Sequence, residues 1–104
     1  MNYNIKFGKK FDKEFKKIDK SISDQIFKKI ERLEIAPSSE GKPLLYTKPT
    51  LWQLKAHVYR IFYILDYNKK EILILSIKHK DECDKYIRKG YFQDIREFSN
   101  DASS

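Results

Sequence analysis

The amino-acid sequence predicts an α+β domain of order β-α-α-β-β-β-α, a mainly antiparallel sheet covered by an N-terminal helical hairpin, with an additional C-terminal helix. Three observations carry this expectation. Apolar residues recur at helical spacing from Phe11 to Leu33 and again from Ile87 to Phe98. Three strand-like runs, 51–55, 58–67 and 71–77, are separated by links short enough for antiparallel hairpins. A length of 104 residues with 40% hydrophobic composition suits one core. The expected organisation is a single domain over residues 1–98 and a flexible C-terminal tail over 99–104, "NDASS" and its preceding serine being short and polar.

Each element has its own signal. "YNIKF" alternates polar and apolar residues and reads as a short strand ended by Gly8. Phe11, Phe15, Ile18 and Ile22 then fall at i, i+4, i+7 and i+11, one stripe of a helix whose other face is Lys, Asp and Glu. "SISD" at 21–24 supplies groups able to cap a second helix, which Ile22, Ile26, Ile30 and Leu33 continue. All three prolines lie in "APSSEGKPLLYTKPT", which is expected to cross the surface as an ordered loop rather than to join helix or sheet. Ala56 and His57 suit a primed two-residue turn poorly, so a bulge or wider loop is expected between the first two long strands. From Asp81 a last helix presents Ile87, Tyr91, Ile95 and Phe98, with Gly90 as a place to bend or divide it.

The net charge is +7, from 22 Lys and Arg against 15 Asp and Glu, so the surface carries a positive field that favours polyanions. No run approaches the ~20 apolar residues of a membrane span, and "MNYNIKFGKK" has no apolar signal-peptide region, so no membrane association and a cytoplasmic location are expected. Cys83 has no second cysteine to pair with, and one cysteine with two histidines is thin for zinc, so no metal or other cofactor is expected. Phosphate-binding loops, dinucleotide fingerprints, metalloprotease motifs and nucleophile elbows are all missing.

What remains is a charge in an awkward place. Arg60 interrupts "VYRIFYILDY", a strand otherwise fit for a core, and a guanidinium cannot shed its proton. Alternation puts Val58, Arg60, Phe62, Ile64 and Asp66 on one face and Tyr59, Ile61, Tyr63, Leu65 and Tyr67 on the other. Arg60 must therefore reach water, pair with a carboxylate at the sheet rim or face an external anion. His57 and His79 flank the strands as turn residues or as imidazoles able to move a proton in phosphodiester cleavage. Lys55, Lys80 and Tyr86 complete the set of bases and aromatics near the sheet.

The order of elements, "LWQLKAHVYRIFYI" and "ILILSIKHKDECDKY" together resemble the RelE/ParE superfamily of toxin-antitoxin toxins over residues 3–88. The resemblance implies the toxin of a type II system: a ribosome-dependent mRNA endoribonuclease, in which the 2′-hydroxyl attacks its own phosphate without a metal and leaves a 2′,3′-cyclic phosphate. It also implies an acidic or amphipathic antitoxin as partner, in a heterotetramer or larger complex, besides ribosome and mRNA. Arg60 matches the arginine on the scissile phosphate, Lys80 the basic group at the leaving oxygen, and Tyr86 the tyrosine that positions a base; His79 joins them as a catalytic candidate. Lys55, His57 and Lys48 are the substrate-binding candidates. Leu51 and Gln53 stand where the nuclease pattern carries lysines, which leaves the general base to His57, His79 or Lys48. A non-catalytic inhibitor of DNA gyrase of the ParE kind, and an inactive RNA-binding relative, remain the alternatives.

Overall fold

The first strand, β1 (Asn4–Phe7), lies at one edge of a five-stranded sheet and runs parallel to the strand beside it. The computed structural model describes residues 2–103, with side chains over 2–98. Two helices follow, α1 (Lys9–Phe15) and α2 (Lys20–Glu31), joined by a tight bend. Their stripe of Phe11, Phe15, Ile18, Ile22, Ile26 and Ile30 is pressed onto the sheet as the helical spacing predicts. Each fully buried Ile or Phe there contributes about 1.5–3 kcal/mol. The N-cap position of α2 is Asp19, whose carboxylate accepts from Ser21 Oγ at 2.5 Å, so "SISD" lies inside the first turn rather than ahead of it.

The proline-rich segment departs from expectation. It forms a short helix, α3 (Pro37–Glu40), and a short strand, β2 (Lys42–Leu44), which pairs antiparallel with β3 (Leu51–Ala56). Both prolines involved sit where the missing N–H is harmless: Pro37 begins the helix and Pro43 is in the outermost strand. The sheet therefore has the order β1-β5-β4-β3-β2, with β4 (Tyr59–Asp66) and β5 (Glu71–His79) at its centre. All pairs other than β1 with β5 are antiparallel.

The β3–β4 link is a two-residue turn, His57 and Val58, closed by the pair Ala56 and Tyr59. No wider loop is needed because His57 takes φ 57°, a left-handed conformation that histidine tolerates better than most side chains. The bulge lies elsewhere. In the β4–β5 register Phe62 faces Ser76 and Tyr63 faces Ile74, so Leu75 is the extra residue. Leu75 and Ser76 consequently share one face, and the alternation of β5 inverts beyond them: Ile72, Ile74 and Ile77 point to the helical hairpin, Leu73, Leu75, Ser76 and Lys78 away from it.

That second face has its own cover. After a 3₁₀ turn (Lys80–Glu82) and a short helix α4 (Cys83–Lys85), a π-helical segment (Tyr86–Gly90) leads into α5 (Tyr91–Ser103). Tyr86 and Tyr91 are buried with Leu51, Phe62, Leu75 and Cys83, and Ile87, Ile95 and Phe98 pack against them. Helical backbone extends over residues 99–103, most of the expected tail, while Ser104 lies outside the described residues.

Candidate functional site

Cross-strand pairing gathers three cations into one row. Lys55 of β3 is paired with Arg60 of β4, and Arg60 with Lys78 of β5. Paired residues of an antiparallel sheet share a face at Cα separations of about 4.5–5.5 Å, so the three side chains start side by side on the face away from the helical hairpin. The next row inward is Gln53, Phe62 and Ser76, where the site meets the second core cluster.

Arg60 settles the question its sequence position raises. Its Nη1 donates to the backbone carbonyls of Tyr59 at 2.9 Å and His57 at 3.2 Å. Among the described residues no ion pair is found for it, so the guanidinium is held at the hairpin tip without a neutralising carboxylate. Lys78 is held differently. Past Phe7 the edge of β5 is no longer covered by β1, and Glu14 of α1 takes that place. Its Oε1 accepts from Ser76 Oγ at 2.6 Å and the Ile77 N–H at 3.3 Å, and its Oε2 pairs with Lys78 Nζ at 2.5 Å. Neither Glu14 nor Lys78 stood out in the sequence; the bulge that turns Lys78 toward Arg60 leaves no mark in the alternation.

Tyr86 is 3% exposed. One side of its ring packs on Phe62, at a centroid distance of 5.0 Å, and Lys10 and Lys78 lie 5.4 and 5.3 Å from its centroid. Its hydroxyl donates to Asp94 Oδ2 at 2.6 Å. In this arrangement the ring offers no open face to a stacking base. Burial, followed by the hydrogen bond to Asp94, pushes the phenol well above its ordinary range. Gly90 makes this packing possible, since a Cβ there would come within 2.8 Å of Tyr86 Cδ1.

Asp94 is itself 3% exposed, with Oδ1 lacking a hydrogen bond and facing Lys10 Nζ at 3.8 Å. Burial raises its pKa above the ordinary carboxylate value, against the opposing effects of Tyr86 and Lys10. The sign of the consequence follows from linkage. The native state holds this proton more tightly than the unfolded chain, so the contribution to stability is full below the unfolded pKa and is lost as pH rises through the folded one. Asp94→Asn removes the titration while keeping an acceptor for Tyr86. Its stability relative to the parent, from urea midpoints, is expected to rise with pH across that window and then level off.

The histidines do not join the row. His79 is paired with Tyr59 and meets its ring edge-on at 6.2 Å, which puts it on the helical-hairpin side. Its Nδ1 accepts the Asp81 N–H at 3.2 Å and so caps the 3₁₀ turn. His57 Nε2 contacts Gln25 Oε1 of α2 at 2.6 Å, on the same side. Lys48 lies before β3, at the end of that strand away from Lys55, a span of roughly 13 Å from Leu51 to Lys55 alone at 3.3 Å per residue. Lys80 is exposed beside the hairpin tip, its N–H donating to Val58 O at 2.7 Å. Leu51 is fully buried in the second cluster, so this position is sealed to substrate as well as uncharged. Cys83 is buried beside the site, and burial pushes its thiol up while the Arg60 charge opposes the shift.

A family model described as the ParE toxin of type II toxin-antitoxin systems, parDE, matches residues 5–83. The chain belongs to this family. The toxin is thus that of a type II toxin-antitoxin system, and its fold has solved counterparts. The toxin-antitoxin complex RelBE2 of Mycobacterium tuberculosis matches with TM-score 0.68 and 21% identity, over 76% of this chain and 99% of the other. The RelE-RelB complex of Pyrococcus horikoshii gives 0.68 and 24%, over 77% and 97%. A variant of the E. coli toxin RelE in the free state gives 0.70 and 18%, over 89% and 97%. A search of curated proteins finds no match to the toxin. No helix among the described residues is long and apolar enough to cross a membrane.

Proposed function

We propose that the toxin is a ribosome-dependent mRNA endoribonuclease that inhibits translation in the cytoplasm, with residues 1–98 as the toxin domain. The observation that supports it most is the Lys55, Arg60, Lys78 row, whose central guanidinium has no carboxylate partner among the described residues. In this reading Arg60 grips the non-bridging oxygens of the scissile phosphate. The 2′-hydroxyl forms the new bond to phosphorus, the bond to the 5′-oxygen breaks, and exposed Lys80 supplies a proton to that leaving oxygen. Charge that develops on the phosphate is met by preplaced cations, which act most strongly where water is partly excluded. No metal has a part in this scheme. Of the candidate bases, the two imidazoles lie on the other side of the sheet and Lys48 at its far end, so the proton of the attacking 2′-hydroxyl passes to a ribosomal group or to a non-bridging oxygen of the phosphate. The partner in resting cells is an acidic or amphipathic antitoxin, in a complex of heterotetrameric or larger form; the solved RelE relatives include complexes with their antitoxins.

One observation favours a second reading. Leu51 is buried and Gln53 is neutral, where the nuclease pattern has lysines, and the matching family model is that of ParE. This would suit a non-catalytic gyrase inhibitor. Induction of the chain alone, followed by mapping of mRNA 5′ ends, separates the two. Cleavage in phase with codons is the expected result; DNA breaks with an SOS response and intact messages would replace the nuclease by the inhibitor, and RNA binding with no arrest would leave an inactive relative.

A further inference from the structure

Between α1, the end of β5 and the π-helical segment lies an open cleft that shares only Lys78 with the row at Arg60. Lys10, Lys78, Lys85 and Lys89 line it around the Tyr86 ring, with Glu82 as the one acidic group on its wall. Convergence of four ammonium groups is unfavourable for the folded chain unless an anion offsets it. Two of the four are built in: Lys78 is fixed by Glu14 and Lys10 approaches buried Asp94, both beside the Tyr86 ring. The other two, Lys85 and Lys89, are exposed and make no ion pair among the described residues. The cleft also adjoins Arg60, because Lys78, which lines it, is Arg60's cross-strand partner.

We infer that this cleft is a second phosphate subsite, holding a backbone phosphate of single-stranded RNA next to the one at Arg60; the inference rests on the ribonuclease reading for the identity of the strand. Lysines suit the task as mobile point charges for a phosphodiester, which needs no planar fork. Because the Tyr86 ring is covered, the subsite reads charge and not base identity, so it should bind without sequence preference.

The test is fluorescence anisotropy of the full chain with a 2′-O-methyl RNA octamer, which cannot undergo 2′-hydroxyl attack, across a salt series. Parent, K85A/K89A and Arg60→Ala proteins are compared after thermal melts confirm their folding. K85A/K89A is expected to weaken binding about tenfold at low salt and to flatten the plot of log affinity against log salt by about 0.7 for each phosphate that the variant no longer neutralises. Equal weakening with DNA of the same sequence marks the interaction as one with phosphate and supports the subsite. Unchanged affinity and slope in K85A/K89A overturn it, even if Arg60→Ala loses binding and the ribonuclease reading survives. Loss in K85A/K89A with none in Arg60→Ala leaves the subsite standing and removes the phosphate role of Arg60. If K85A/K89A instead loses affinity for an oligoglutamate peptide and keeps its affinity for RNA, the cleft belongs to an acidic protein segment and the inference fails.

Discussion

Arg60→Ala is expected to abolish growth arrest on induction while leaving the fold intact. The guanidinium is the centre of the three-strand row, and loss of a preplaced group that meets developing charge typically lowers turnover by ~10²–10³-fold. The cost to stability is small for a structural reason. Among the described residues Arg60 donates to two carbonyls at the hairpin tip, His57 and Tyr59, which water can reach when the side chain is removed. A change of about 1 kcal/mol or less is expected, in line with the net worth of such hydrogen bonds. Arg60→Lys should fall between, since an ammonium keeps the charge but loses the paired donors. Growth curves after induction, with thermal melts of the purified variants, measure both quantities. Full toxicity of a folded Arg60→Ala protein would remove Arg60 from the chemistry.

The largest effect on stability is expected from a glycine outside that row. Gly41 has φ −110°, an ordinary backbone conformation, so alanine meets no torsional objection there. It meets Tyr63 instead. A Cβ at position 41 would overlap the Tyr63 hydroxyl and lie 2.9 Å from Cζ and 3.1 Å from the Gln53 carbonyl oxygen. Tyr63 is fully buried and its hydroxyl donates to Pro37 O at 2.8 Å, so the ring has little freedom to retreat. Overpacking of this kind costs about 1–3 kcal/mol, and a buried hydroxyl that loses its acceptor adds about 1–3 kcal/mol. A domain of this size commonly has only ~5–15 kcal/mol in total. Gly41→Ala should therefore lower the urea midpoint severely. Combining it with Tyr63→Phe removes the overlapping atom, so the double variant should be more stable than the sum of the two single losses implies. Additive losses would show that the hydroxyl overlap is not the cause.

Much of the architecture could be read from periodicity. The stripes from Phe11 to Leu33 and from Ile87 to Phe98 are the packed faces, and the division of β4 into two faces holds along its whole length. β2 was hidden because prolines argue against sheet, an argument that weakens at an edge where no neighbour needs the N–H. The tight turn at His57 was hidden by its rare φ. Asp94 did leave a signal: it falls three residues after Tyr91 and four before Phe98, a carboxylate on an apolar stripe. Arg60 was legible as a misplaced charge, Lys55 and Lys80 as its neighbours in the family pattern. Lys78 was not, because an unbroken strand would have put it on the wrong side.

That last point bears on how the toxin can change over evolution. The single surplus residue at Leu75 acts as a phase shift, and everything C-terminal to it in β5 depends on that shift for its address. Deleting Leu75 would restore regular alternation and leave Ser76, Ile77 and Lys78 opposite Phe62, Ile61 and Arg60, on the faces they already hold. Flattening the bulge with Leu75 kept would instead slip the strand by one residue, sending Lys78 under the helical hairpin while Ile77 emerged beside Arg60. A natural relative with one residue fewer in this strand should accordingly lack the bulge, and one that keeps its length should keep the bulge.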